Sequence, residues 1–99
     1  MALSIQLSHD FATCKIVATI SDSLNRGQNG VVTITVSGSK TLTAPFTKLT
    51  NTPRTISFDA PKTGLIHTFD GKVKSGADTA KDTIVSQTCP PPPPVEPVG

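Results

Sequence analysis

Hydrophobic and polar residues alternate over most of this chain, in short runs separated by glycine, proline, asparagine and aspartate. In the clearest run Val32, Ile34 and Val36 alternate with Thr33, Thr35 and Ser37. Period-two alternation places every second side chain on one face, which is typical of a strand that is buried on one side. No stretch has helical periodicity, and Thr, Val and Ile outnumber the strong helix formers. The pattern therefore predicts an all-β chain.

Seven runs of this kind follow one another at intervals of about ten to fifteen residues, a spacing typical of an antiparallel sandwich. They cover roughly residues 3–8, 14–21, 32–37, 42–46, 55–60, 65–74 and 81–89. His9-Asp10 is expected to end the first strand. Pro45 cannot donate a hydrogen bond to a neighbouring strand, so its strand is expected at a sheet edge or at a bulge.

The segments between the runs predict where loops lie. The polar stretch 21–30 and the segment 75–80 are expected as loops at one pole of the molecule, with the C-terminal tail leaving from the other. In the sixth run Leu65, His67 and Phe69 fall on the same side, which is expected to face inward. His67 is accordingly predicted to be a core histidine that hydrogen-bonds to the backbone.

The composition indicates a single folded domain with a thin core. The 99 residues include 35% hydrophobic, 4% aromatic and 16% charged residues, and serine and threonine make up the difference from an average protein. The net charge is +2 with lysines and arginines spaced singly, so the sequence argues against a nucleic-acid partner. The N-terminal residues have neither the charge nor the apolar length of a signal peptide or membrane anchor, so we expect no membrane partner, and either use without Sec-type secretion, which the Met at position 1 favours, or prior removal of a leader.

The stretch Thr63-Gly64-Leu65-Ile66-His67-Thr68-Phe69-Asp70-Gly71-Lys72-Val73-Lys74-Ser75-Gly76 resembles the penultimate strand and hairpin of an immunoglobulin-like or fibronectin-III-like module. By strand number and spacing the resemblance covers residues 1–89. It implies a single antiparallel seven-stranded Greek-key β-sandwich over 1–89, followed by a separate tail over 90–99. The Trp and the corner Tyr of antibody domains are absent, and no functional residue follows from the resemblance.

Two cysteines, Cys14 and Cys89, bracket almost the whole sandwich segment. In the Greek-key topology the second strand would start and the seventh would end at the same pole, which makes these cysteines a candidate disulfide. The alternative is two free thiols, one of them buried as a small apolar side chain. No spacing or elbow motif supports a cysteine–histidine nucleophile.

The sequence contains no motif that indicates catalysis, a cofactor or a metal. His9-Asp10 is typical of turn chemistry, and the aspartates are spread singly over loops and strand ends without calcium-loop spacing. Phosphate-binding glycine motifs, a nucleophile elbow and paired carboxylates are also missing. We therefore expect a protein that is not an enzyme and has no cofactor.

The C-terminal segment 90–99 has the composition of a polyproline II tail, which usually acts as a linker or as a ligand for aromatic grooves. Its candidate partner-binding residues are Pro90, Pro91, Pro92, Pro93, Pro94, Val95, Pro97 and Val98. The tail, the sandwich pattern and the missing catalytic motifs together favour the hypothesis that this is a bacteriophage virion protein. It would be a decoration (cement) or tail-accessory subunit that docks on capsid or tail proteins, possibly as a homo-oligomer.

An adhesion or glycan-binding module of the extracellular space or the cell surface is the alternative, with the prolines as a spacer. The missing surface aromatics weigh against it, because sugar binding prefers them. An inhibitor or a periplasmic partner is a third hypothesis.

Overall fold

The computed structural model describes residues 3–91, and within that range the chain is all-β. Seven strands follow the predicted alternation: β1 (Leu3–Asp10), β2 (Lys15–Asp22), β3 (Gln28–Val36), β4 (Thr41–Leu49), β5 (Arg54–Asp59), β6 (Ile66–Ser75) and β7 (Asp78–Gln87). They form two antiparallel sheets, one of three strands in the order β1-β2-β5 and one of four in the order β4-β3-β6-β7. The predicted all-β sandwich is thus confirmed at this level.

The inward side chains of the two sheets form one apolar core. Phe69 of β6 is fully buried at its centre, together with Ile16 and Ile20 of β2 and Ile34 of β3. Gly71 stands in the inward row of β6, and a Cβ atom there would lie 2.8 Å from the side chain of Leu7. The two sheets therefore approach closely at this point, and the core has no room for a larger residue.

The first strand is longer than the sequence predicts. His9 and Asp10 pair with Ile16 and Lys15, so they belong to β1 and the expected break before them was wrong. Pairing with β2 extends the strand through both residues, and the turn starts only then: the Asp10 carboxylate accepts a hydrogen bond from the amide of Ala12 at 3.0 Å. Asp10 thereby starts the turn from the last position of the strand, as aspartates do in Asx turns.

The fourth strand lies where its proline predicts. β4 is at the edge of the four-stranded sheet, and its pairing with β3 is irregular between Gln28 and Gly30. Pro45 faces Val31 in this ladder, on a strand that has a neighbour on one side alone. The prediction of an edge position for Pro45 is confirmed.

The inward position predicted for Leu65 was wrong. β6 begins at Ile66, and Leu65 is 63% exposed in the segment before it. The alternation predicted from Leu65 onward is correct from His67 onward, because His67, Phe69 and Val73 are all buried. Because β6 begins one residue after Leu65, that side chain is not part of the inward row of the strand.

One pole of the sandwich, which we call the Asp22 pole, is held together by a buried carboxylate. Asp22 is fully buried at the end of β2 and accepts hydrogen bonds from the amides of Leu24 and Arg26 at 3.1 and 3.2 Å. The Arg26 side chain donates to both Asp22 oxygens at 3.0 and 3.2 Å and to Asp78 at 2.5 Å. The last contact joins the β2–β3 loop to the β6–β7 turn, so the prediction that these two loops share a pole is confirmed.

Candidate docking surface at the disulfide pole

The two cysteines lie together at the opposite pole. The Sγ atoms of Cys14 and Cys89 are 2.10 Å apart and their Cα atoms 6.0 Å apart, so the structure joins them as a disulfide across a sequence separation of 75 residues. Cys14 ends the turn that leads into β2, and Cys89 follows β7 by two positions. We call this end of the sandwich the tail pole, because the chain beyond Cys89 leaves from it.

The turn that carries Cys14 is fixed by the backbone. Cys14 has a φ of 58°, in the left-handed region that few residues other than glycine adopt. Its carbonyl accepts a hydrogen bond from the amide of Ala60 at 3.2 Å, which ties the turn to the end of β5. The cysteine is therefore held on both sides, by the disulfide and by the neighbouring strand.

The segment that carries Cys89 is anchored as well. The amide of Gly64 donates to the carbonyl of Cys89 at 2.9 Å, and the amide of Thr88 donates to the carbonyl of Leu65 at 2.9 Å. Gly64 has a φ of +72°, and Pro90 passes 3.5 Å from the position that a Cβ atom would take there. The start of the tail is thus bound along its backbone to the segment that precedes β6.

His67 supports this anchor from inside. One ring nitrogen, Nδ1, lies 2.7 Å from the carbonyl oxygen of Ser37, which can only accept, so Nδ1 carries the proton. The other, Nε2, lies 2.8 Å from the hydroxyl of Thr63, which is 3.0 Å from that of Thr88. The prediction of a core histidine bound to the backbone is confirmed, and its ring connects the β3–β4 turn to the root of the tail.

Exposed hydrophobic side chains gather at the tail pole. Of the five large hydrophobic side chains that are exposed in residues 3–91, four lie here, and we call them the apolar patch. They are Phe11 (63% exposed), Leu65 (63%), Ile66 (68%) and Val85 (66%). The fifth, Leu24, lies at the Asp22 pole. Single exposed hydrophobics need no explanation, but a group of them around one feature marks an interaction surface.

Contacts of the backbone place the apolar patch at the same end of the sandwich as the disulfide. The carbonyl oxygen of Phe11 lies 3.7 Å from the Sγ of Cys14 and 3.8 Å from that of Cys89. Leu65 is bonded to Thr88, next to Cys89. Ile66 faces Gln87 across the β6–β7 ladder, and Val85 lies two residues before Gln87. Pro90 and Pro91 are exposed beside them.

His9 lies under the edge of this patch. Its ring centroid is 4.2 Å from that of Phe11, and its Nδ1 is 2.7 Å from the hydroxyl of Ser86 on β7. Its Nε2 is buried and has no hydrogen-bond partner in residues 3–91. Burial lowers the pKa of His9, and the nearby Asp10 carboxylate offsets part of that effect. The fold therefore favours the neutral ring.

This environment predicts a loss of stability in mild acid. A histidine with a lowered pKa in the folded state binds fewer protons there than in the unfolded chain, so the free energy of unfolding falls as pH decreases through the usual histidine value of about 6.5. We expect the Tm of the wild type to fall between pH 7.5 and pH 5.5, and that of His9→Gln to depend less on pH. Calorimetry at both pH values measures this, and an equal fall in both proteins would contradict it.

The structure places the predicted site residues as follows. It brings Cys14 and Cys89 together and shows Pro90 and Pro91 at the surface beside them. The remaining candidates, Pro92, Pro93, Pro94, Val95, Pro97 and Val98, lie outside the described residues. The sequence analysis did not identify the apolar patch. The signal available for it was the presence of large hydrophobic residues just outside the alternating runs, as at Phe11 and Leu65.

Fold and site together define a small β-sandwich protein with exposed hydrophobic side chains at one pole, and its strand arrangement is compatible with an immunoglobulin-like fold. Comparison with known proteins adds no family, since no family profile and no curated protein sequence matches this chain. The described part of the chain contains no helix that is long and apolar enough to cross a membrane. In the same range no group of three or more potential ligand side chains is placed to hold a metal ion.

Proposed function

We propose that this protein is a non-enzymatic structural subunit of a bacteriophage virion, a decoration (cement) or tail-accessory protein with an immunoglobulin-like Greek-key fold. It docks on a capsid or tail protein through the tail pole and the tail. The observation that carries the proposal is that most of the large exposed hydrophobic side chains in residues 3–91 lie at the pole that carries the disulfide and the root of the tail. The missing catalytic motifs and the proline-rich tail are consistent with it.

The energetics of the tail pole favour docking there. Burying a large hydrophobic side chain that was exposed stabilises a complex by roughly 1.5–3 kcal/mol. The four side chains of the apolar patch can each contribute part of this, because the surface that presents them is already fixed by the disulfide and by the Gly64–Cys89 hydrogen bond. Little conformational entropy then remains to be lost on binding. The proline tail adds a second ligand of low entropy for a groove on the partner.

The proposal predicts that Phe11→Ser/Leu65→Ser lowers the occupancy of the protein on purified particles at least about tenfold, because apolar area is lost from the interface. Deletion of residues 90–99 is also expected to weaken incorporation while leaving the Tm within a few degrees. The gene for this protein is deleted from the phage genome, and each variant is expressed from a plasmid in the infected cells. Quantitative mass spectrometry of the purified particles then measures the occupancy of each variant.

Leu24→Ser is the matched control, since Leu24 is equally exposed, at 63%, but lies at the other pole. Its occupancy should stay within about twofold of the wild type. Absence of the wild-type protein from purified particles would overturn the virion proposal. Equal occupancy of all variants would show that another surface docks.

A second candidate function is an adhesion or glycan-binding module of the extracellular space or the cell surface. The Cys14–Cys89 disulfide favours it, because disulfides persist in oxidising surroundings and are rare in reducing cytosol. A particle surface outside the cell meets the same condition, so the disulfide is compatible with both candidates. Capsid or tail genes beside the coding sequence would support the virion, and an adhesin or secretion locus would support this second candidate.

A further inference from the structure

The outer face of the four-stranded sheet carries three lysines close together. Lys72 of β6 lies directly opposite Lys81 of β7, and Lys74 is the next outward residue along β6. Side chains at directly opposed positions have their Cβ atoms about 5 Å apart. We call these three residues and the threonines around them the lysine face.

The lysines of this face form no ion pair within residues 3–91, and one carboxylate offsets part of their charge. The ion pairs in residues 3–91 join Lys15 to Asp59 and Arg26 to Asp22 and Asp78, and none includes a lysine of this face. Asp70 is the one acidic residue on it, and its carboxylate accepts a hydrogen bond from the Thr83 hydroxyl at 2.7 Å. Like charges directly opposite each other destabilise a sheet. The lysine pair therefore weakens the isolated domain, and an anionic ligand would remove that repulsion.

A shallow hollow of about 280 Å³ lies on this face, with Lys72 and Lys81 among its lining residues. Its floor and sides combine the ammonium groups with hydroxyls. The lining residues are Thr33, Thr35, Asp70, Gly71, Lys72, Lys81 and Thr83. Ammonium groups form charge-assisted hydrogen bonds with carboxylates and sulfates, and threonine hydroxyls can donate to or accept from sugar hydroxyls.

The chemistry of the face selects among anionic partners. None of its outward residues is aromatic, so it lacks the stacking platforms that bind single-stranded nucleic acid. It is a sheet face without a protruding helix or arm to enter a duplex groove. Protein interfaces are rich in aromatic side chains and poor in lysine at their centre, which is the opposite of this composition. An anionic polymer that carries hydroxyl groups fits best, because its charges and hydroxyls can be bound without the aromatic stacking that neutral sugars prefer.

We propose that the lysine face binds an acidic polysaccharide, with Lys72 and Lys81 contacting its carboxylate or sulfate groups. The residues of this site differ from those of the apolar patch, whose nearest member along β7 is Val85, two positions from Thr83. The inference does not rest on the virion proposal, because it uses other residues and a different class of ligand.

The test measures binding of the full chain to polygalacturonate and to dextran sulfate by isothermal titration calorimetry at 20 mM salt, with neutral dextran as a blank. The double variant Lys72→Gln/Lys81→Gln is expected to bind at least about tenfold more weakly than the wild type. Raising the salt to 200 mM should weaken wild-type binding, because charged contacts are screened. The Tm of the variant should not fall, since the substitution removes a like-charge pair.

Lys40→Gln/Lys62→Gln is the matched control, because it removes two charges at exposed lysines away from this face and brings the net charge from +2 to 0 in the same way. Its affinity should stay within about threefold of the wild type. Equal losses in both double variants would overturn the site, since only net charge would then matter. Absence of wild-type binding at low salt, or tighter binding of oligothymidylate or polyglutamate than of either polysaccharide, would overturn the ligand class.

Discussion

Replacement of both cysteines, Cys14→Ser/Cys89→Ser, is expected to lower the free energy of unfolding by about 4.5 kcal/mol. The disulfide closes a loop of 75 residues, and opening it restores the corresponding conformational freedom to the unfolded chain. A domain of this size has a total stability of roughly 5–15 kcal/mol, so the loss is a large share of it. We expect the Tm to fall by about 20 °C or more.

Thermal unfolding of the oxidised wild type, the wild type in reductant and the double serine variant measures this effect. The last two should melt together, because both lack the same cross-link. Intact mass under non-reducing conditions should be lower by about two hydrogens than after reduction. Two thiols that can be alkylated in the native protein without reductant, or a Tm that reductant does not change, would contradict the prediction.

Asp22→Ala is expected to lower the Tm by roughly 10–20 °C, the second largest effect. The buried carboxylate accepts hydrogen bonds from two loop amides and from the Arg26 side chain, and its removal leaves the two amides unpaired and Arg26 with Asp78 as its one acidic partner. Removing one member of a buried, hydrogen-bonded pair is costly, because the groups left behind have lost their partner. The whole β2–β3 loop and its contact to Asp78 depend on this residue.

The dependence of Tm on pH in the wild type and in Asp22→Ala provides a further test. The hydrogen bond from Arg26 is the main reason why the pKa of Asp22 is lowered. A carboxylate with a lowered pKa stabilises the fold above its usual range, and this contribution is lost as pH falls through the folded-state value. The wild type should therefore approach the Tm of Asp22→Ala in strong acid.

Asp59→Ala is the matched control for the substitution of Asp22. The ion pair between Asp59 and Lys15 has the same 3.0 Å distance as the closest Arg26–Asp22 contact, but the Asp59 side chain is 88% exposed. Exposed ion pairs contribute little to stability. We expect its Tm to change by no more than a few degrees, and an equal fall in both variants would show that burial of Asp22 is not what matters.

The sequence predicted the strands well because the signal for them is local. Alternation identified all seven, and the missing amide of Pro45 placed β4 at an edge. Strand ends were predicted less well. The end of β1 depends on pairing with β2, and the start of β6 depends on where the β5–β6 connection enters the sheet. The end of β1 and the start of β6 therefore cannot be predicted from the alternation pattern of either strand alone.

The functional residues were harder to predict, since they depend on contacts between distant segments. Asp22 continues the inward row of Ile16, Ala18 and Ile20, but an aspartate there is stable only because the loop folds back to bring Arg26 onto it. Phe11 and Leu65 are far apart in sequence and come together only at the tail pole. The opposition of Lys72 and Lys81 follows from the register of one hairpin, which the sequence did not specify.

The disulfide also decides how a pulling force on the tail enters the molecule. β7 is an edge strand, so a load transmitted along it alone would peel it from β6 one hydrogen bond at a time. The bond at Cys89 passes the load to Cys14 and so to β2, the central strand of the other sheet, which is held on both sides by β1 and β5. Tension is thereby shared between both sheets.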